Sequence, residues 1–382
     1  MSHHMSLSTG PSLRPNRPLT VAALLAALLC TFTNAFAQPS APVVPSPGHP
    51  TTTMFVNPLL PTGADPWITF RDGFYYYMNT TGHNLEIWKT RSVPELATAV
   101  HKVVWTPPAT GPYSHDIWAP ELHFIRGCWY IYFAADNGQN RNHRIYVIQN
   151  CSADPLSGSW TFKGKVADST DRWAIDPTIL QEHGHIYLIW SGWPGATNGQ
   201  QNIYIAQLSN PWTVSSPRVL LSYPKYPWER VGDLPSRNRI LATPHVNVNE
   251  GPEILKHDGS VFLIYSASGC WTDYYELGML RTSIDSHPLD PKSWHKYDHP
   301  VFWQDPSALA YATGHNSFFQ SPDGKQWWIL YHANPAPDEG CGSHRAPRAQ
   351  PFTWNPDGTP NFGRPVPLNQ PLLRPSGDPT IH

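Results

Sequence analysis

Three acidic residues stand at matching places in repeated stretches of the chain. Asp65 lies in Gly63-Ala-Asp-Pro-Trp, Asp176 in Ile175-Asp-Pro-Thr, and Glu250 in Asn249-Glu-Gly-Pro. Carboxyl groups crowded into a partly desolvated place cannot all ionise freely, because like charge and burial raise the pKa of at least one. One can then stay ionised and take a proton from water. Another can stay protonated and give its proton to a departing oxygen. A single Asp-Pro is an ordinary turn opener, so the inference depends on what brings the three acids together.

What brings them together is a repeat. Each acid precedes a short strand, a tight turn ending in glycine, and an aromatic second strand. The first copy spans residues 63–77, and the turn glycines of the five copies are 73, 127, 184, 259 and 324, with spacings of 54, 57, 75 and 65. In the first four copies a proline sits seven residues before the glycine, at 66, 120, 177 and 252. A fixed offset at such a period marks a repeat architecture. Strand-rich units with hairpin turns make an all-β, five-bladed β-propeller, with one blade per copy.

In a propeller the first strand of each blade lines the central channel. Counting back eight residues from the turn glycine gives Asp65, Ala119, Asp176, Gly251 and Asn316, and counting back nine gives Ala64, Trp118, Ile175, Glu250 and His315. Asp65, Asp176 and Glu250 therefore converge at one end of the channel, and His315 becomes the fifth-blade counterpart of Glu250. Converging acids of unequal pKa are what glycoside hydrolysis needs. Glu253 is a competitor for the acid role, but it lies further down the strand on the opposite face from Glu250. Glu121, two residues past its axial position, reads as structural.

Composition fits this picture. The 382 residues hold 17 Trp, 17 Tyr, 14 Phe and 42 Pro, with 14% charged residues, well under the roughly 25% of an average domain. The formal net charge of −2 gives no reason to expect nucleic acid or an anionic membrane as partner. Aromatic faces can stack on sugars, and Trp67, Trp118 and Trp193 are the candidate platforms; sheet packing is the alternative for each.

Arg14 and Arg17 precede an apolar run, Leu19 to Phe32, and Ala35-Phe36-Ala37 fits a cleavage site. Residues 1–37 are thus expected to be a signal peptide, 38–54 a Pro/Ser/Thr-rich linker, and 55–382 the propeller, in a secreted or periplasmic product without membrane attachment after cleavage. Export permits disulfides. Cys128 and Cys151 flank a hairpin symmetrically, which pairs them and leaves Cys270 with Cys341; four buried free thiols are the alternative. Nothing in the chain suggests an assembly surface, so a monomer is expected.

Six motifs in order resemble glycoside hydrolase family 43: Gly-Ala-Asp65-Pro-Trp, Ile-Trp-Ala-Pro-Glu-Leu-His (117–123), Ile-Asp176-Pro-Thr, Asn-Glu250-Gly-Pro, Gly-His315-Asn-Ser-Phe and Arg345-Ala-Pro-Arg348-Ala-Gln-Pro-Phe. The resemblance covers about residues 55–370 and implies a five-bladed propeller acting with inversion. It implies Asp65 as general base, Glu250 as general acid, and Asp176 as the carboxylate that orients the acid and tunes its pKa. It implies that Arg348 and His315 reach the sugar. It also implies a water-rich calcium site at His315, with a buried hydrogen-bonding histidine as the alternative; no cofactor is required for the chemistry.

The motif set, with Ser-Gly-Cys-Trp-Thr-Asp-Tyr-Tyr (268–275), is similar to that of exo-acting α-L-arabinofuranosidases. The expected substrate is a plant cell-wall polysaccharide, arabinan or arabinoxylan, or an arabino-oligosaccharide. An endo-1,5-α-L-arabinanase or a β-xylosidase would use the same carboxylates. A non-catalytic carbohydrate-binding propeller is the reading from another class.

Overall fold

The computed structural model describes residues 53–234 and 245–379. The expected signal peptide and nearly all of the linker lie outside the described residues; Met54, at the linker's end, already belongs to a strand. The five sequence copies fold as five antiparallel blades. Their inner strands are Ala64–Arg71, His115–Ile125, Ala174–Glu182, Asn247–His257 and Tyr311–Gln320. Each pairs with its aromatic second strand, and third and fourth strands follow outward. Blades three and four are also joined by a short parallel pairing of Gln200 and Gln201 with Asn247 and Val248.

Neighbouring inner strands touch in cyclic order, blade five against blade one included, so the ring is closed. Alternation along the strands puts apolar side chains on both faces of each blade, and they meet between blades. Among the described residues six buried clusters result, five between successive blades and a small sixth of Ala134, Trp173, Ile175 and Trp193. For example, Ile125, Tyr132 and Leu188 pack between blades two and three, and Tyr75, Tyr77 and Trp328 between blades five and one. The segment before blade one clasps blade five: Leu59 N donates to Pro347 O at 2.8 Å, and Asn57 Nδ2 to Ala349 O at 2.9 Å. Removing one such fully buried aromatic side chain costs about 3–5 kcal/mol.

The turns in blades one to four are two-residue hairpins, Asp72-Gly73, Arg126-Gly127, His183-Gly184 and Asp258-Gly259. Both residues of each have positive φ, which is the type I′ geometry that matches strand twist. Blade five differs. Its inner strand last pairs at Gln320 with Trp327, so its turn is longer and Gly324 is not equivalent to the other turn glycines.

The feature that positions the site is a bulge repeated in all five inner strands. Pairing skips between Ala64 and Trp67, Trp118 and Glu121, Ile175 and Thr178, Glu250 and Glu253, and Gly314 and Ser317. At each bulge one residue turns left-handed: Asp65 (φ 55°), Ala119 (43°), Asp176 (53°), Gly251 (54°) and His315 (45°). Such a bulge kinks the strand and re-aims side chains. Asp tolerates this conformation better than most residues. At Gly251 a side chain would also meet the His315 ring, with Nδ1 3.1 Å from the would-be Cβ. The fifth copy is therefore offset by one residue from the count made back from its glycine. His315 corresponds to Asp65 and Asp176, not to Glu250, whose counterpart in blade five is Gly314.

Candidate active site

The bulges lie at the end of the channel where inner strands start, second strands finish and third strands begin. There the chain forms a cavity of about 400 Å³ lined by Asp65, Asp176, Glu250 and His315, within the size range of small-molecule sites. The carboxylates of blades one, three and four thus share one space, as their register requires.

Asp65 is held on every side. Its Oδ2 accepts from Thr80 Oγ1 at 2.6 Å, and its Oδ1 accepts from Arg345 Nη1 at 3.0 Å. His315 Nδ1 lies 3.3 Å from Oδ1, and the Asp65 backbone N–H donates to His332 Nδ1 at 3.1 Å. Burial alone would push this carboxyl up. The Arg345 guanidinium first, then His315, His332 and the Thr80 hydroxyl, outweigh burial and hold it well below the usual carboxylate range. Asp65 is therefore an anion at any working pH.

Glu250 is the opposite case. Burial raises its pKa to about 7, helped by the Asp65 charge and opposed by a Tyr275 hydrogen bond and Arg345. Asp176 is likewise raised to about 7, chiefly by burial, with Glu250 and Asp65 adding to the rise. His315 and the Gly251 backbone N–H work against it. That N–H donates to Asp176 Oδ2 at 2.9 Å, so Asp176 grips the peptide that follows Glu250. The cavity thus holds one fixed anion and, at neutral pH, two carboxyls that share protons. This is the division needed to activate water on one side and protonate an oxygen on the other.

Other expected residues divide. Trp118 lines the cavity, its ring stacked on His143 at 4.1 Å. Trp67 does not reach the cavity. It is 7% exposed and packs on His123 with ring centroids 5.0 Å apart, because it lies past the bulge. Trp193 is also displaced: it is buried beneath Trp173, stacked at 4.9 Å, and it is Trp173 that lines the cavity. Arg348 is fully buried within blade five and donates to Leu309 O. Its place in the cavity is taken by Arg345, just before the third strand of that blade (Ala346–Trp354). Glu253 is buried away from the cavity beside Glu121, whose charge helps to raise its pKa, and Glu121 Oε2 lies 2.7 Å from His123 Nε2.

Sequence reasoning missed Arg345, Thr80, Tyr275, His332, Trp173 and Trp271. The usable signal was position in the blade, since second strands end and third strands begin at the same mouth. Both expected disulfides are present, with Cα–Cα distances of 4.2 Å for Cys128–Cys151 and 5.3 Å for Cys270–Cys341. The second bridges loops of blades four and five and lines the cavity with Trp271. Arg345 Nη2 donates to the Cys341 carbonyl at 2.9 Å.

For a calcium ion at His315, water would have to supply most of the ligands. Calcium takes six to eight oxygens, while both Asp65 oxygens and Asp176 Oδ2 are already engaged by protein donors. Among the described residues there is no group of three or more His, Cys, Asp or Glu arranged to hold a metal.

Comparison with known proteins agrees with this architecture. The model of glycosyl hydrolases family 43 matches residues 55–360. An extracellular exo-α-(1→5)-L-arabinofuranosidase of Streptomyces avermitilis is 38% identical over 361 residues, which is 92% of this chain and 71% of that protein. α-L-Arabinofuranosidase 43 of Humicola insolens is 35% identical over 326 residues, 82% of this chain and 64% of its own length. The crystal structure of an α-L-arabinofuranosidase from Lactobacillus brevis superposes with a TM-score of 0.75 at 36% identity, covering 83% of this chain and 98% of that one. A closed propeller with crowded carboxyls at its mouth is the framework of a carbohydrate-cleaving enzyme. The chain belongs to glycosyl hydrolases family 43 and is a glycoside hydrolase.

Proposed function

We propose that this chain is a secreted, exo-acting α-L-arabinofuranosidase that works with inversion on arabinan or arabinoxylan side chains. The observation that carries the reading is the contrast between Asp65, held as an anion by Arg345, and Glu250, whose pKa burial raises to about 7 in the same cavity. Asp65 takes a proton from a water as that water attacks the anomeric carbon. Glu250 gives its proton to the glycosidic oxygen as the bond breaks. The product sugar leaves with inverted configuration, and both acids exchange protons with solvent before the next turnover. Asp176, through the Gly251 N–H, keeps Glu250 oriented, and its shared protons tune the acid.

The arabinose specificity rests on the relatives. Exo action is supported by the walls of the cavity: Leu234 and Val246 on one side and the Cys270–Cys341 bridge with Trp271 on the other. Two disulfides suit an exported protein. The chain acts as a monomer, since one chain supplies every group named at the mouth, and no step of this chemistry passes through a metal.

Product analysis on linear arabinan, with aryl α-L-arabinofuranoside and aryl β-D-xyloside alongside, tests the reading. Arabinose alone, released first as the inverted anomer, is expected. A ladder of oligosaccharides would show an endo-arabinanase, and release from the xyloside alone would move the substrate to xylan. Binding without release from any substrate would leave a carbohydrate-binding propeller.

A further inference from the structure

Beside the active-site cavity lies a second hollow of about 320 Å³, and the ring of Trp173 is a wall of both. The two are also joined along the chain, since Asn140 lines the first and Arg141 the second. Trp193 stacks under Trp173 with planes 13° apart, and with both rings only 4% exposed the pair forms a rigid apolar wall of the hollow.

The hollow is cationic. Arg141, Arg144 and Arg172 line it, against a single carboxylate, Asp171. That carboxylate is already engaged: Arg144 Nε donates to Oδ1 at 2.9 Å and Lys165 Nζ to Oδ2 at 2.6 Å. Arg141 and Arg172 have no hydrogen-bond or ion-pair partner among the described residues. Two unpaired guanidiniums in one hollow are an unusual concentration in a chain with 14% charged residues and a net charge of −2. Guanidinium forks match carboxylates in shape and charge, and a neutral glycan would leave them unused.

We propose that this hollow is a subsite for a hexuronate unit of the polysaccharide being trimmed. The uronate carboxylate engages Arg141 and Arg172 in the hollow, and the arabinofuranose to be removed enters the adjoining cavity. The proposal rests on the arabinofuranosidase reading above and adds to it a preference for acidic segments of the backbone.

The test compares a glucuronate-bearing arabinoxylo-oligosaccharide with the same oligosaccharide after its carboxyl is reduced to the alcohol. kcat/KM is measured for wild type and for Arg141→Gln/Arg172→Gln, with aryl α-L-arabinofuranoside as a substrate too small to reach the hollow. Wild type is expected to favour the acidic substrate about fivefold at low salt. The preference should vanish in the double variant and at about 0.5 M salt, with aryl turnover unchanged. Equal kcat/KM for both oligosaccharides in wild type, or a preference that survives the double substitution, would overturn the subsite. Failure of wild type to cleave the aryl substrate would instead overturn the functional reading beneath it.

Discussion

Arg345 donates to Asp65 Oδ1 at 3.0 Å with one guanidinium nitrogen and to the Cys341 carbonyl at 2.9 Å with another. One side chain thus sets the charge of the candidate base and is itself positioned by the loop that the Cys270–Cys341 bridge holds. Replacing it with alanine leaves a buried carboxylate without its main cation. The Asp65 pKa then rises, and the base is protonated in mild acid. We expect kcat to fall at least about 100-fold and an acid limb to appear near pH ~5. Arg345→Lys should recover part of the rate. A pH–rate profile of both variants checks this, and an unchanged acid limb would count against it.

In the wild type the limbs are asymmetric. Asp65 stays ionised far into acid, whereas Glu250, with a pKa of about 7, loses its proton as pH rises. The rate should therefore hold through mild acid and fall above about pH 7. Because Asp176 titrates in the same range, the observed midpoint belongs to the coupled pair. A bell with its acid limb at pH 5 or above would contradict the assignment.

The raised Glu250 pKa also has a stability consequence. A group whose folded pKa lies above its unfolded one stabilises the fold while protonated, and that stability is lost as pH rises from the ordinary carboxyl value to about 7. A shift from 4.5 to about 7 amounts to roughly 3 kcal/mol above neutrality. Glu250→Gln, which cannot ionise, should therefore melt higher than wild type at pH 8, with the difference shrinking at pH 5. Thermal melts at the two pH values decide it.

The two disulfides should behave differently. Removing Cys128–Cys151, which ties neighbouring strands of blade two, should lower Tm while leaving kcat/KM near wild type. Removing Cys270–Cys341, whose partners are 71 residues apart, should cost stability of about 2–4 kcal/mol and also reduce kcat by loosening Arg345. Paired alanine substitutions, assayed on an aryl substrate at a temperature where all forms are folded, separate the two effects.

The blade count and the meeting of Asp65, Asp176 and Glu250 were legible because turn glycines and inner strands repeat at a fixed offset. Periodicity reports backbone register, and register alone brings the three acids to one end of the channel. It does not report how far a side chain reaches, nor the local bulge. Trp67 sits only two residues after Asp65, yet the bulge turns it into the core. Arg345 and Arg348 share one motif, but only the former precedes its strand and stands at the mouth. His315 was misaligned by one residue because blade five closes with a longer turn. Trp193 lies one layer behind Trp173, a distinction that a single sequence does not carry.

The division of labour between Asp65 and Glu250 is tested most directly by varying the leaving group. Rates of Glu250→Gln and Asp65→Asn should be measured on dinitrophenyl α-L-arabinofuranoside, whose leaving group needs no proton, and on an arabino-oligosaccharide, whose leaving group does. Glu250→Gln should retain much of its rate on the activated substrate and almost none on the oligosaccharide, while Asp65→Asn should be inactive on both. Equal losses for the two variants on the activated substrate, or rescue of Asp65→Asn instead, would contradict the account.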